Sequence, residues 1–113
     1  MNIWIITVNY KAVQPTKELI KSIEKCNIEH NIKILIGDNE SSSITKEELK
    51  IIKKKSFLDI ELFFYSKNHY YWPSIEKILS KKIDLNSQYP DWILICNNDI
   101  IINDKNFFNE LNK

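Results

Sequence analysis

The amino-acid sequence predicts an α/β fold in which a mostly parallel sheet is covered by helices on both faces. Four short runs of aliphatic and β-branched residues alternate with four segments whose apolar residues recur at helical spacing. The runs are apolar almost throughout, as expected for strands that are buried on both faces. The order β-α-β-α-β-α-β-α therefore predicts a doubly wound, Rossmann-like sheet. A chain of 113 residues suits one small domain of this kind.

The first half of the chain supplies two strands and two helices. Strands are predicted at Ile3–Asn9 and Ile32–Asp38, where the apolar runs are rich in isoleucine. A helix is predicted at Pro15–Cys26, which has proline in its first turn and repeats apolar residues every three or four positions. A second helix is predicted at Thr45–Lys55, opened by a capping box between its first residue and Glu48.

The second half repeats this alternation and then ends in a short tail. A strand is predicted at Ile60–Ser66, a helix at Pro73–Lys82, a polar loop at Asp84–Asp91 and a buried strand at Trp92–Asn97. The tail carries a strand-like piece with the sequence IIIN, followed by a closing helix over Asp104–Lys113. Asn103 or Asp104 is the expected N-cap of this helix.

Composition excludes several classes of function. The formal net charge is +1, which gives no basic surface for nucleic acid and no polybasic membrane tether. All sixteen basic residues are lysines, so the best bidentate phosphate clamp is absent. Gly37 is the single glycine, which rules out a dinucleotide fingerprint and a P-loop. A phosphate site would therefore use lysine, backbone N–H groups, a helix N-terminus or a metal.

The sequence also predicts a reducing, cytoplasmic location, with the inner face of the membrane as the second place to look. No apolar run approaches the length of a membrane span, and the N-terminal strand has no basic region before it. Cys26 and Cys96 both lie within apolar patterns, so we expect them to be buried and unpaired.

Polar clusters follow three of the predicted strands, at Val8–Tyr10, Gly37–Ser43 and Cys96–Asp99. In an open parallel sheet, ligands bind beyond the carboxyl ends of the strands where the winding direction reverses. If the first strand lies between the second and the fourth, these three clusters converge. Each suits part of a nucleotide: Asp38 accepts hydrogen bonds from a base or ribose, and backbone N–H groups around Thr7–Asn9 reach the base.

The sequence CNND, ending in Asp99, raises the question of a metal. A carboxylate there suits a hard divalent cation that bridges a diphosphate. The alternative is an ordinary polar turn after a buried strand, because Asn and Asp are favoured in turns in any case.

Four segments in this order resemble the N-terminal half of inverting family 2 glycosyltransferases with the GT-A fold. They are IITVNYKAVQPTKELIKSI, KILIGDNESSS, SKNHYYWPSIEKIL and DWILICNNDIII. The resemblance is strongest to the bacterial rhamnosyltransferase-type, cell-surface polysaccharide branch. Thr7–Tyr10 match the end of the family's first strand, Asp38–Ser41 its Asp-Asn-x-Ser turn, and Asn97–Asp99 its Asp-x-Asp motif with Asn in the first place.

The resemblance implies a set of donor-binding residues. These are Thr7, Val8, Asn9, Tyr10, Asp38, Asn39, Ser41, Asn68, Asn97, Asn98 and Asp99. Thr7, Val8 and Asn9 would line the base pocket and Asp38 would contact the base. Asp99 would ligate Mg or Mn bridging the diphosphate of a UDP-sugar or dTDP-sugar, with a saccharide or lipid-linked molecule as acceptor.

The chain departs from the family where Gly follows the third strand, because Tyr70 stands there. Aromatic residues at 70–72 would narrow the donor pocket or offer a stacking surface, but packing over the third helix is the favoured interpretation. His69 is expected to be neutral in role, with phosphate contact as the alternative.

The second departure is length. The family's general base and acceptor site follow in a second half, so we expect this chain to be a truncated donor-binding region, inactive alone, with exposed apolar surface that favours self-association. Two alternatives are a non-catalytic nucleotide-binding or assembly module of the same fold and a receiver-type signalling domain. The latter is disfavoured because the first strand ends in Asn9-Tyr10 and the third in Tyr65-Ser66 instead of acidic residues.

Overall fold

The structure is a computed structural model that describes residues 1–85 and 89–111. Four strands alternate with four helices, which confirms the predicted fold class and element order. The elements are β1 (Asn2–Tyr10), α1 (Gln14–Glu24), β2 (Asn31–Asn39), α2 (Ser43–Lys55), β3 (Asp59–Phe64), α3 (Tyr71–Leu85), β4 (Trp92–Ile95) and α4 (Phe107–Glu110).

All the strand pairings are parallel, and the strand order is β3-β2-β1-β4. The first strand therefore lies between the second and the fourth, as the switch-point argument required. β1 pairs with β2 along its whole length, up to Tyr10 opposite Asn39. On its other side β1 pairs with β4 only as far as Ile6 opposite Ile95, and Cys96 adds one more hydrogen bond to Ile6. We call the space beyond the end of this pairing, beside the carboxyl end of β1, the crevice.

Two apolar clusters sandwich the sheet. On one face, the buried residues of α1 and α4 pack on Ile3, Ile5 and Ile34, with Ile52 of α2 against them. On the other face, α3 packs on a cluster of β1, β2 and β3 residues through Ile75. Helices therefore cover both faces, as predicted.

The single glycine permits close approach of a helix to the sheet. A Cβ added to Gly37 of β2 would lie 2.9 Å from Cδ1 of Ile78 in α3, too close for two carbon atoms. Glycine at this position therefore lets α3 pack directly over the strand that ends in the polar cluster of Asp38.

Element boundaries agree with prediction to within two residues for most strands and helices, with some corrections. The capping box of α2 is formed by Ser42 with Thr45, not by Thr45 with Glu48. Helix α3 continues to Leu85, into the predicted loop at Asp84–Asp91, of which residues 86–88 lie outside the described residues.

The tail differs more from prediction. Residues 100–103 form no strand, because their chain turns away along α1, where the Ile102 N–H donates to the Ser22 hydroxyl at 3.1 Å. Helix α4 spans only Phe107–Glu110 and has Asn106 as its N-cap instead of Asn103 or Asp104. The last two residues of the predicted helix, 112–113, lie outside the described part of the chain.

The predicted buried strand at Trp92–Asn97 is an edge strand, because no further strand of the described chain pairs with β4. Trp92 is 46% exposed and Ile93 is 41% exposed. An apolar run identifies a strand but does not show whether its neighbours are present, which explains the error.

A charge network protects the opposite edge. Glu61 of β3 bridges Lys82, which is 9% exposed, and Lys33, with N–O distances of 2.9 and 3.0 Å. Burial alone would raise the pKa of Glu61, but hydrogen bonds and charges from both lysines outweigh it and lower the pKa. Inward-pointing charges of this kind disfavour edge-to-edge pairing.

We expect Glu61→Gln to lower the free energy of unfolding at neutral pH by about 1–3 kcal/mol, because Lys82 stays buried without a carboxylate. A folded-state pKa below the unfolded value means that this stabilisation is present above the unfolded pKa and is lost as the pH falls through the folded pKa. Urea unfolding at pH 7 and pH 3 should show a large gap between the proteins at pH 7 and a smaller one at pH 3. An equal gap at both would refute the ion-pair explanation.

Candidate site at the carboxyl ends of the strands

A chain of hydrogen bonds that is buried at its centre connects the ends of β1, β2 and β4 through α1. Asn98 Nδ2 donates to the Thr16 hydroxyl at 3.0 Å, and the Thr16 hydroxyl donates to Asn9 Oδ1 at 2.7 Å. Asn9 Nδ2 then donates to Asp38 Oδ1 at 3.0 Å, and the Ser41 hydroxyl donates to Asp38 Oδ2 at 2.8 Å. The three polar clusters therefore meet, as predicted from the order of the strands.

Burial makes this chain structurally demanding. Asn9 and Thr16 are fully buried and Asp38 is 1% exposed. A buried carboxylate is tolerated only when it is hydrogen-bonded or paired. Asn9 and Ser41 satisfy one acceptor position on each oxygen of Asp38, which leaves further lone pairs for a ligand donor.

A second polar group anchors the loop before α3. Asn39, which is 2% exposed, donates from Nδ2 to the Tyr70 carbonyl at 2.9 Å and accepts a hydrogen bond from the Ser74 hydroxyl. Asn68 Oδ1 accepts from the Tyr70 N–H at 2.9 Å. Two of the predicted donor-binding asparagines, Asn39 and Asn68, therefore hold both polar groups of the Tyr70 backbone.

Three residues other than glycine adopt positive φ beside the site. They are Lys11 at 61°, Glu40 at 53° and Tyr70 at 63°. Lys11 and Glu40 directly follow β1 and β2, and Tyr70 directly precedes α3. Such strained conformations persist only where surrounding contacts hold them. Tyr70 thus takes the left-handed conformation that favours glycine, at the place where the resembled family has glycine.

Tyr10, the last residue of β1, is oriented by one contact at its hydroxyl and one over its ring. Its hydroxyl donates to Glu40 Oε2 at 3.0 Å, and Lys11 Nζ lies 5.1 Å from the ring centroid. The side chain remains 44% exposed. An exposed, oriented aromatic ring of this kind provides a stacking surface for a planar group.

Asp99 and Asn97 lie at the surface of the turn after β4, and neither side chain has a partner within the part of the chain that the structure describes. No group of three or more His, Cys, Asp or Glu residues capable of holding a metal occurs among the described residues. An exposed, unpaired carboxylate suits Mg or Mn when substrate phosphates and water complete the shell.

Two helices begin near this edge. Thr16 and Ser74, in the first turns of α1 and α3, both contact the polar clusters, and neither first turn carries an acidic residue. The N-terminus of α1 has no side-chain cap. The uncapped N-terminus of α1 and the positive ends of the two helix dipoles favour an anion at these helix ends.

Thr7 and Val8 are buried in this conformation, as Asn9 and Asp38 are. Thr7 is fully buried, and its hydroxyl has no hydrogen-bond partner among the described residues. Val8 is 9% exposed and packs in the α3-side cluster. A base pocket would therefore use their backbone, and their donor-binding role stays a prediction.

The aromatic residues before and in α3 divide into two kinds. Tyr71 packs against the α3-side cluster. Burial raises the pKa of Tyr71, and the charge of the Cys96 thiolate raises it further by a smaller amount. Tyr70 is 73% exposed and Trp72 is 64% exposed, so the favoured packing interpretation is wrong for both. His69 makes an edge-on contact with the Tyr65 ring at 5.3 Å.

Three residues of the site were not singled out from the sequence: Thr16, Glu40 and Ser74. Two of them stand in first turns of helices, where polar residues usually only interact with their own helix or with water. The available signal was position, since α1 and α3 both begin directly after polar strand ends.

Both cysteines are buried and free, as expected. Burial raises the pKa of Cys96 to about 11, and burial together with Asp104 raises the pKa of Cys26. Neither thiol is therefore a nucleophile at neutral pH.

Cavities occur away from the polar cluster. One of about 460 Å³ lies at the amino ends of the strands between His30, Phe57 and Tyr89, and one of about 340 Å³ lies between α1 and α2. The first is larger, but its wall does not contain the converging buried polar groups that mark a specific site.

No described helix is long and apolar enough to span a membrane.

The chain shares its fold with TarS from S. aureus. A structure of TarS 1–349 in complex with UDP-GlcNAc superposes with a TM-score of 0.71 at 16% identity, covering 99% of this chain and 30% of that one. The complex with UDP gives the same TM-score and identity, with 31% of the TarS chain covered. The sequence matches no protein-family model and no curated protein. The likeness establishes the fold, and the chain spans about a third of the length of these neighbours.

Proposed function

We propose that the chain is a donor-binding region of a glycosyltransferase that holds a UDP-sugar at the crevice beside β1. The observation that carries the proposal is the hydrogen-bond network, buried at Asp38 and Asn9, that joins these residues to Asn98 at the switch point. The resemblance to family 2 glycosyltransferases runs through the same residues. The TarS complexes with UDP-GlcNAc and UDP favour UDP over dTDP as the nucleotide.

The geometry suggests a division of the crevice. Asp38 would accept the base N–H with its remaining lone pairs, and Tyr10 would offer its ring to the planar base. The N-termini of α1 and α3 would favour the diphosphate, which compensates for the lack of arginine.

Asp99 would bind Mg or Mn, and Asn97 and Asn98 would lie beside the ribose and diphosphate. The residues present fit such an ion, since Asp99 is exposed and unpaired among the described residues. A bound divalent metal would offset negative charge on the leaving nucleoside diphosphate. The remaining ligands would come from the phosphates and water, which is usual for Mg.

Sugar transfer with inversion also needs a base that deprotonates the acceptor hydroxyl. We assign no residue of this chain to that role. We propose that a further polypeptide region supplies the base and binds a saccharide or lipid-linked acceptor. The second candidate is a non-catalytic nucleotide-binding module of the same fold. It is favoured because Asp99 is the one unpaired carboxylate at the site within the described residues. UDP release from UDP-GlcNAc with added acceptor, measured with that further region present, would distinguish the two.

Calorimetric titration with UDP, dTDP and GDP, each with and without Mn, tests the proposal. We expect UDP to bind most tightly and Mn to strengthen its binding. A chain that circular dichroism shows to be folded, and that binds none of the three in either condition, would contradict nucleotide binding at this site.

The exposed edge of β4 supports a further proposal, that two copies associate through it. The described residues leave this edge unpaired, and Trp92–Ile95 contain no charge, whereas β3 at the other edge carries Glu61 and Asp59. Two such strands would pair antiparallel about a twofold axis without placing like charges opposite each other.

We expect Ile93→Lys to convert a dimer into a monomer in sedimentation or light-scattering measurements, because a charge on an edge strand opposes pairing. Ile51→Lys on α2 is the matched control, since Ile51 is 49% exposed and Ile93 is 41% exposed. A monomeric unmodified chain at every concentration, or a dimeric Ile93→Lys variant, would overturn the proposal.

A further inference from the structure

The hydrogen-bond chain through Thr16 has a single direction. Asp38 is a carboxylate that only accepts, so Asn9 must turn Nδ2 toward it and Oδ1 toward Thr16. The Thr16 hydroxyl must then donate to Asn9, which leaves its lone pair to accept from Asn98. The charge of Asp38 therefore fixes the amide orientation of a residue in the turn after β4.

Thr16 is the short connection between the two ends of the site. Its hydroxyl lies 3.0 Å from Asn98 Nδ2 and 2.7 Å from Asn9 Oδ1. The direct Asn98–Asn9 separation is 3.5 Å, at the outer limit for a hydrogen bond. Thr16 is fully buried, so water does not compete for its hydroxyl. Aligned bonds in such a site polarise one another.

We propose that Thr16 is a positioning residue that couples the base end of the site to the metal end. The proposal rests on the proposed function, because it takes Asp38 as the base contact and Asp99 as the metal ligand. A base N–H that donates to Asp38 competes with Asn9 Nδ2 for the negative charge of the carboxylate and so weakens that hydrogen bond. The change passes through Asn9 and Thr16 to Asn98, whose neighbour is Asp99.

This coupling has a thermodynamic consequence. If occupation of the base end orders the turn that carries Asp99, the nucleoside tightens metal binding and the metal tightens nucleoside binding by the same factor. Uridine is the suitable probe, since it has no phosphate through which it could reach the metal directly.

The test compares Thr16→Val, which keeps the shape and removes the hydroxyl, with Thr16→Ser, which keeps the hydroxyl. Uridine is titrated while the side-chain amide signals of Asn98 are followed by NMR, with those of Asn27, at the far end of α1, as a control. We expect the Asn98 signals to shift in the unmodified chain and in Thr16→Ser, but not in Thr16→Val. The Mn-dependent gain in UDP affinity should fall about tenfold in Thr16→Val alone.

Uridine binding without a shift of the Asn98 signals, or a Thr16→Val variant that keeps the full shift, would overturn the coupling while leaving the proposed function intact. Failure of both uridine and UDP to bind the folded, unmodified chain would overturn both. Thermal unfolding of each variant shows whether it remains folded. If both variants are folded and only Thr16→Ser keeps the Asn98 shift, the missing shift in Thr16→Val reports loss of coupling and not loss of fold.

Discussion

Replacing Asp38 by asparagine is expected to lower the free energy of unfolding by about 2–4 kcal/mol and to abolish detectable UDP binding. Asp38 accepts hydrogen bonds from Asn9 and Ser41 on different oxygen atoms. An asparagine offers one neutral oxygen, so Asn9 would donate to a weaker acceptor, while the Ser41 hydroxyl, which also lies 2.9 Å from the Asp38 carbonyl, would face an NH₂ group. The change also removes the charge that orients the chain through Thr16.

Urea unfolding measures the first effect and calorimetric titration with UDP and Mn the second. Glu47→Gln is the control, because Glu47 forms only an exposed pair with Lys50 on α2 and should change stability by less than about 0.5 kcal/mol. Ser41→Ala removes one donor to Asp38 and provides a milder variant, should the asparagine variant fail to fold. An Asp38→Asn chain as stable as the original and equally able to bind UDP would refute the role of this carboxylate.

Replacing Asp99 by asparagine is expected to separate binding from stability. Its side chain is exposed and has no partner in the described residues, so the free energy of unfolding should stay within about 0.5 kcal/mol. The Mn-dependent gain in UDP affinity should be lost, a change of about tenfold or more, because the amide is a far weaker ligand for a hard cation.

The matched control is Glu29→Gln, which removes an exposed charge near the amino ends of the strands. It should leave both UDP affinity and its Mn dependence unchanged. Retention of the full Mn effect by Asp99→Asn would mean that any metal binds elsewhere and that the turn after β4 is only structural.

The sequence was sufficient for the fold because the apolar runs and the helical spacing are local signals. The convergence of Asn9, Asp38 and Asn98 also followed from the sequence, since parallel strands bring their carboxyl ends to one edge. Thr16 was missed because its partners come from other strands, and no local pattern distinguishes it from a solvated residue in a first helical turn.

The exposure of β4 and the conformation of Tyr70 were missed for related reasons. Ile93 is apolar whether or not another strand lies beside it, so burial depended on a neighbour that the pattern does not report. The positive φ of Tyr70 is held by hydrogen bonds to its backbone from the side chains of Asn39, which is remote in sequence, and Asn68. Tertiary contacts, not residue preference, decided both.

The most direct test of the proposed site is to locate UDP on the chain by NMR. Backbone amide signals are assigned, and their shifts are followed as UDP is added with Mg, which avoids the paramagnetism of Mn. We predict shifts at Tyr10, Asn39, Asn98 and Asp99, around the crevice beside β1. Shifts confined to His30, Lys33 and Phe57, around the larger cavity at the amino ends of the strands, would contradict it.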